Sequence, residues 1–289
     1  ALLAMVTFAQ NDVTFAKSEP TDEQKAKRAE QIHDYFGKLA EKKAKLGALK
    51  RKIQTLTDKN EKSKLADTTS NLEQQIRELE TGTQAIGLLK VKNKKDTDTV
   101  AIQTSDDYSN QVTFAGSLYY DAWFSNNWVL NVDYEWRGNY WSEDLSGTGD
   151  VGGLDGFWVG IDENIDTYSD DMRYFDYREG ELQGYGGYDD HSDTGRGWKF
   201  QDEIMNWNNN GYSYENYNAH YGSGSLYFEF EDTNIEGETV EFFGGYGHTW
   251  DNTTINSIGV GPYSASIGWS SSNDKWDIED NFVAENIQQ

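Results

Sequence analysis

Side chains able to do chemistry are plentiful in this chain, but they are nowhere spaced as a familiar catalytic device. His33, His191, His220 and His248 stand far apart, without metal-ligand spacing, and each reads as a surface or interfacial residue. Cysteine is absent, which removes thiol catalysis, thiolate metal sites and disulfides. Carboxylates recur in pairs such as Asp170-Asp171, Asp189-Asp190 and Glu229/Glu231. With 35 acids among residues 101–289, such pairs follow from composition and do not define an acid–base couple. Gly147, Gly149 and Gly152 match G-x-G-x-x-G, yet Gly153, Asp155 and Gly156 break the helix that motif needs. No nucleophile elbow, phosphate loop or H-E-x-x-H is present. These residues point away from an enzyme.

Two Gly/Asp-rich tracts, 142–155 and 183–197, read as long external loops. Clustered aspartates attract calcium, but no EF-hand spacing accompanies them, so the expectation is no cofactor, with calcium in these loops as the weaker option. Trp207, Asn208, Asn209, Asn210, Tyr212, Tyr214 and Tyr217 suit sugar stacking, with an ordinary loop or an aromatic interface belt as the simpler reading.

The elements that would position these groups divide the chain in two. Residues 1–100 carry 19 Lys/Arg and 15 Asp/Glu, whereas residues 101–289 carry 6 and 35, so the net −25 is the sum of +4 and −29. The later part also holds 37 of the 41 aromatics. Such acidity excludes a nucleic-acid binder, and no run of apolar residues is long enough for a transmembrane helix.

Residues 1–9 are apolar and read equally as a signal-like remnant or a short extended segment within residues 1–20. From Thr21 the pattern is helical, with Thr21 and Gln24 forming a capping box. Ile32, Leu39, Leu46 and Ile53 recur every seven residues, joined by Tyr35, Leu49 and Leu56. A second register runs through Leu65, Leu72, Ile76 and Leu79, and a capping box at Ser70 and Glu73 places the break near 67–70. Residues 21–87 are therefore a coiled-coil or helical-hairpin arm, and 88–100 a basic linker. Residues 38–52 hold seven basic side chains and one acid, which suit an anionic polymer or headgroup layer, or simply a solvated helix face.

In residues 112–141 the period becomes two. Phe114, Tyr120, Phe124, Trp128, Trp136 and Tyr140 share the apolar face of a long hairpin turning at Asn126-Asn127. Asp121, Asn131, Asp133, Glu135 and Arg137 occupy the opposite, polar face. Strands of about 13 residues are roughly twice the length usual in soluble proteins, which fits strands crossing a bilayer at a tilt. On that reading the aromatics lie at the membrane interfaces and the polar set lines a pore. Similar alternation at 226–231, 240–246 and 257–269 extends the meander to about 8–12 strands.

With a signal-like start, a heptad segment and long amphipathic strands, the chain resembles bacterial outer-membrane porins that carry an N-terminal coiled coil. The resemblance implies an up-and-down transmembrane β-barrel exported to the outer membrane, in contact with its lipid. It also implies passive conduction, preferring cations if Asp121, Asp133 and Glu135 face the lumen, and a helical arm reaching the cell wall, possible also in a homo-oligomer. Two other classes share the same features: a secreted β-rich surface or filament subunit, and a carbohydrate-binding module on a coiled-coil stalk.

Overall fold

The structure is a computed structural model that describes residues 20–93, 102–103, 111–137, 149–209, 212–233, 235–285 and 287, with the backbone alone at 102–103, 188–191, 207–209 and 212–213. The capping box forms as its residues dictate: Gln24 N–H donates to the Thr21 hydroxyl, and the Thr21 N–H to the Gln24 side chain. It opens helix α1, Asp22–Thr55. Asp58 then accepts from the amides of Asn60 and Glu61 and starts α2, Lys59–Gly82.

The break thus falls at 56–58 and not near 67–70. Asp58 satisfies orphan amides there, whereas the Thr68 and Thr69 hydroxyls bond back to carbonyls one turn earlier and leave the helix continuous. The two helices form a hairpin. Ile32, Phe36 and Leu39 of α1 share a cluster with Ile76, Leu72 and Leu79 of α2; all but Phe36 are positions of the expected seams.

The strands are β1 (Leu88–Lys90), β2 (Ile102–Gln103), β3 (Val112–Asp121), β4 (Asn127–Trp136), β5 (Gly149–Ile161), β6 (Ile165–Phe175), β7 (Leu182–Tyr185) and β8 (Gly187–Ser192). They continue with β9 (Gly195–Asn209), β10 (Tyr212–Tyr217), β11 (Tyr221–Phe230), β12 (Val240–Thr249), β13 (Ile255–Val260), β14 (Ala265–Trp269) and β15 (Lys275–Ala284). All pairings are antiparallel. The first sheet runs β1-β3-β4-β11-β6-β7, and the second β10-β9-β5-β12-β15-β2 with β8 beside β9. β13 and β14 form a separate hairpin. The mainly-β class with a helical N-terminal part is therefore as expected, but among the described residues no closed barrel is present. No described helix is long and apolar enough to cross a membrane, which does not bear on strands.

The two sheets share one core. Trp128, Val132, Tyr134 and Trp136 of β4 pack in the same cluster as Phe157, Trp198, Phe242, Tyr246 and Trp276 of the second sheet. Each such fully buried aromatic contributes roughly 1.5–3 kcal/mol by leaving water. Close approach is needed at Gly244, where a Cβ would stand 2.5 Å from the Val132 side chain. The opposite face of the first sheet is covered by α1, through Tyr119, Val129 and Tyr227. The opposite face of the second is covered by Ile255, Ile258 and Val260 of β13, against Trp158 and Phe243.

The β3–β4 hairpin forms with Asn126 at φ 67°, the left-handed turn residue expected. Its strands are 10 residues each, shorter than read from the alternation. Both expected loop tracts contribute strands: β5 begins at Gly149, and within 183–197 β7 ends, β8 lies whole and β9 begins. Residues 88–90 likewise pair with β3, so the linker is not all linker. Residues 1–19, 94–101, 142–148 and Tyr140 lie outside the described residues.

Candidate functional site

The polar residues singled out on β3 and β4 converge on the seam beneath α1, where basic residues of the helix meet them. Asp121 is fully buried and takes both arms of Arg28, Nε at 2.8 Å and Nη2 at 3.0 Å, with the Tyr227 hydroxyl at 3.2 Å. Arg28 also donates to the Ile86 carbonyl and lies over the Trp123 ring. Asp133 receives Lys43 at 3.1 Å and the Asn131 amide at 3.1 Å. Glu135 receives Arg51 at 3.1 Å. The charge of Asp133 holds the Lys43 ammonium above its usual range, while burial raises the Glu135 carboxyl against the pull of Arg51.

These acids therefore face a helix and not an open lumen. The basic run of 38–52 is occupied the same way: Lys50 pairs with Glu73, Lys45 with Glu41, and Lys42 donates to Gln75. The aromatics of the opposite face sit in or against the sandwich core. Trp128 and Trp136 are buried, Phe114 and Tyr120 pack partly buried on the same cluster, and Phe124 is half-buried beyond β3. Of the sugar-stacking candidates, Tyr217 is buried and Tyr214 is exposed beneath Arg178. The side chains of 207–210 and Tyr212 lie outside the described set.

At its open end the seam widens into a cleft of about 690 Å3, with Lys43, Lys50, Arg51 and Arg137 against Asp133 and Glu135, and Phe114 in the wall. Arg51 anchors it. Its Nη2 donates to the Tyr177 carbonyl at 2.6 Å, its guanidinium lies 4.6 Å from the Tyr177 ring, and its buried Nε has no hydrogen-bond partner. Behind Glu135, at 3.9 Å, His220 is fully buried with neither ring nitrogen partnered, and burial beside Arg51 holds it neutral. Buried polar atoms left in this way are uncommon in folded proteins. Asp133, Glu135 and Arg137 are thus brought to one site, whereas Asp121 serves the docking of α1 and Asn131 bonds within the sheet to Asp133 and Ser223.

A second constellation lies inside the sandwich and was missed by sequence reasoning. Asp155 of β5, Asp202 of β9 and His248 of β12 are all fully buried, and one ligand-type atom from each lies within 4.8 Å of the others. Asp155 accepts from the Tyr246 hydroxyl at 2.6 Å and the Thr249 amide at 2.8 Å, and stands 2.9 Å from His248 Nδ1. Asp202 accepts from the Tyr217 hydroxyl at 2.9 Å and stands 3.8 Å from His248 Nδ1. Burial, aided by the neighbouring Asp155, drives the Asp202 carboxyl well above its ordinary range. Asp155 and His248 are 93 residues apart, so only strand pairing unites them and no motif announces them. Three of the four histidines, His33, His220 and His248, prove buried and not superficial. His33 lies on α1 and His248 on the inward face of β12, whereas His220 lies in the turn between β10 and β11.

No family model matches the chain, and no curated protein does. Among solved structures, it is similar to one described by the words "AvmM Catalyzes Macrocyclization in Alchivemycin A Biosynthesis", with 9% identity and a TM-score of 0.22 over 69% of this chain and 98% of that chain. A likeness at that score carries no argument about fold or activity.

Proposed function

We propose that the chain is a non-catalytic binding module that takes a small carboxylate-bearing ligand, an acidic sugar, in the cleft between α1 and the first sheet. The observation that carries this reading is a cleft of about 690 Å3 lined by Lys50, Arg51 and Arg137, with the Arg51 Nε buried behind it and unpartnered. That size falls in the usual range for ligand sites, roughly 300–1,000 Å3. A carboxylate placed there would accept from Arg51 while Lys50 and Arg137 supply long-range attraction. Phe114 offers an apolar wall for a sugar ring.

The expectation of a cation-preferring outer-membrane barrel is supported by strand alternation and by the signal-like residues 1–9. In this fold the same alternation has a different use: one face fills the core between two sheets and the other receives a helix. Export to a cell surface is compatible with either and is retained as part of the proposal.

The test is a calorimetric titration of the full chain with galacturonate and glucuronate, with galactose as the neutral control. The uronates are expected to bind and galactose not to, and Arg51→Met is expected to weaken uronate binding about tenfold or more, the loss of a charged hydrogen bond. Equal binding of galactose and galacturonate, or no binding of either uronate, contradicts the reading.

A further inference from the structure

We propose that Asp155, Asp202 and His248 form a structural site for one divalent first-row transition ion, of the manganese-to-zinc series, captured during folding and closed to solvent in the native protein. The three side chains are each fully buried, and their ligand atoms gather within 4.8 Å. One ion with bonds of about 2.0–2.2 Å would draw them together by small side-chain shifts. Two carboxylate oxygens and an imidazole nitrogen suit this series, whereas calcium takes six to eight oxygens and soft ions select thiolates.

Charge is the first independent support. Among the described residues no Lys or Arg forms an ion pair with Asp155 or Asp202, and His248 alone stands beside both. Ionising both carboxylates in this interior without a cation would cost several kcal/mol each. A divalent ion cancels both charges. Hydrogen bonding is the second: Asp202 Oδ1 is buried and has no partner, although both oxygens of Asp155 are engaged. An acceptor left unpaired at zero exposure, on a carboxylate whose other oxygen stands 3.8 Å from His248 Nδ1, calls for a positive partner. The hydroxyls of Tyr217 and Tyr246, 3.2 Å apart and bonded to the two carboxylates, stand where they would orient the ligands from behind.

The site is walled by aromatic rings, with Trp136 5.1 Å from the His248 ring, so exchange requires opening of the sandwich. Metal uptake is therefore coupled to folding. The step is binding alone: carboxylates and imidazole donate electron pairs to the ion, displacing its water and any proton they hold.

The full chain is unfolded in guanidinium with a chelator, desalted, and refolded with Zn2+, with Mn2+ or with chelator. Metal content after native dialysis against EDTA and the thermal midpoint are then measured. The expected result is about one ion per chain that survives EDTA while folded and leaves on unfolding, with a midpoint about 5 °C or more above the chelator-refolded protein. Asp202→Asn should retain less than roughly a tenth of that metal under the same protocol. Equal midpoints with no retained metal in the unaltered chain overturn the proposal, as does full retention by Asp202→Asn. If refolding is incomplete, protein expressed in chelator-treated medium and in Zn2+-supplemented medium is compared by the same two measurements, with the same expected and overturning results.

Discussion

At the scale of single residues, burial decides what the titratable groups do. His33 on α1 is enclosed by the first sheet, with Nδ1 2.7 Å from the Ser225 hydroxyl and Nε2 3.1 Å from that of Ser169. Burial lowers its pKa from 6.5 to about 4. The unfolded chain therefore binds a proton that the folded chain refuses between those values. The stability linked to His33 is complete above pH 6.5 and is lost as pH falls towards 4. At pH 4.5 the unaltered protein should have lost about 2 kcal/mol more, relative to pH 7, than His33→Gln, which keeps an amide for the two serines. Urea unfolding at the two pH values measures this, and parallel losses in both proteins would refute it. The sequence showed His33 as one isolated histidine on a helix. Its burial became visible only with its partners, Ser169 and Ser225, which lie more than a hundred residues further along.

Elements were more legible than residues. The Thr21–Gln24 box, the Ile32–Leu39 seam, the Asn126 turn and the two faces of β3 and β4 all follow from local pattern. Local pattern could not say what covers each face, because period two distinguishes inside from outside only when one side is solvent. Here β4 is buried on both faces, by the second sheet and by α1. The acids Asp121, Asp133 and Glu135 look like a pore lining in sequence because their counter-ions Arg28, Lys43 and Arg51 belong to another element. Gly180 shows how tightly that element fits: at φ 65° a Cβ there would come 2.4 Å from the backbone of Ala44 on α1.

The helix–sheet joint yields a double-mutant prediction. Arg28→Met or Asp121→Asn alone should each cost roughly 3–5 kcal/mol, by leaving a buried charge or acceptor unmatched. Arg28→Met with Asp121→Asn should cost clearly less than the sum of the two single changes. Additive losses in chemical denaturation would mean that the pair does not meet in the folded protein. The exposed Glu41–Lys45 pair should contribute under about 1 kcal/mol by the same measurement.

For the molecule as a whole, part of the charge asymmetry is used at the seam, where Lys25, Arg28, Lys43 and Arg51 of α1 pair with Glu229, Asp121, Asp133 and Glu135 of the first sheet and its strand ends. The cleft lies at one end of that seam and the carboxylate–imidazole centre inside the sandwich. Strand order was beyond sequence reading for a physical reason. β11 inserts between β4 and β6, and β12 between β5 and β15, so hairpin neighbours in the chain are not all neighbours in a sheet. In this fold α1 is an integral layer on a two-sheet core. Amide hydrogen exchange on the full chain in detergent-free buffer tests it most directly. The prediction is slow exchange, close to the global unfolding limit, in β4, β12 and the first half of α1, with faster exchange in the exposed start of α2. An α1 that exchanges rapidly while the strands stay protected, or strands that become protected only in detergent, would contradict it.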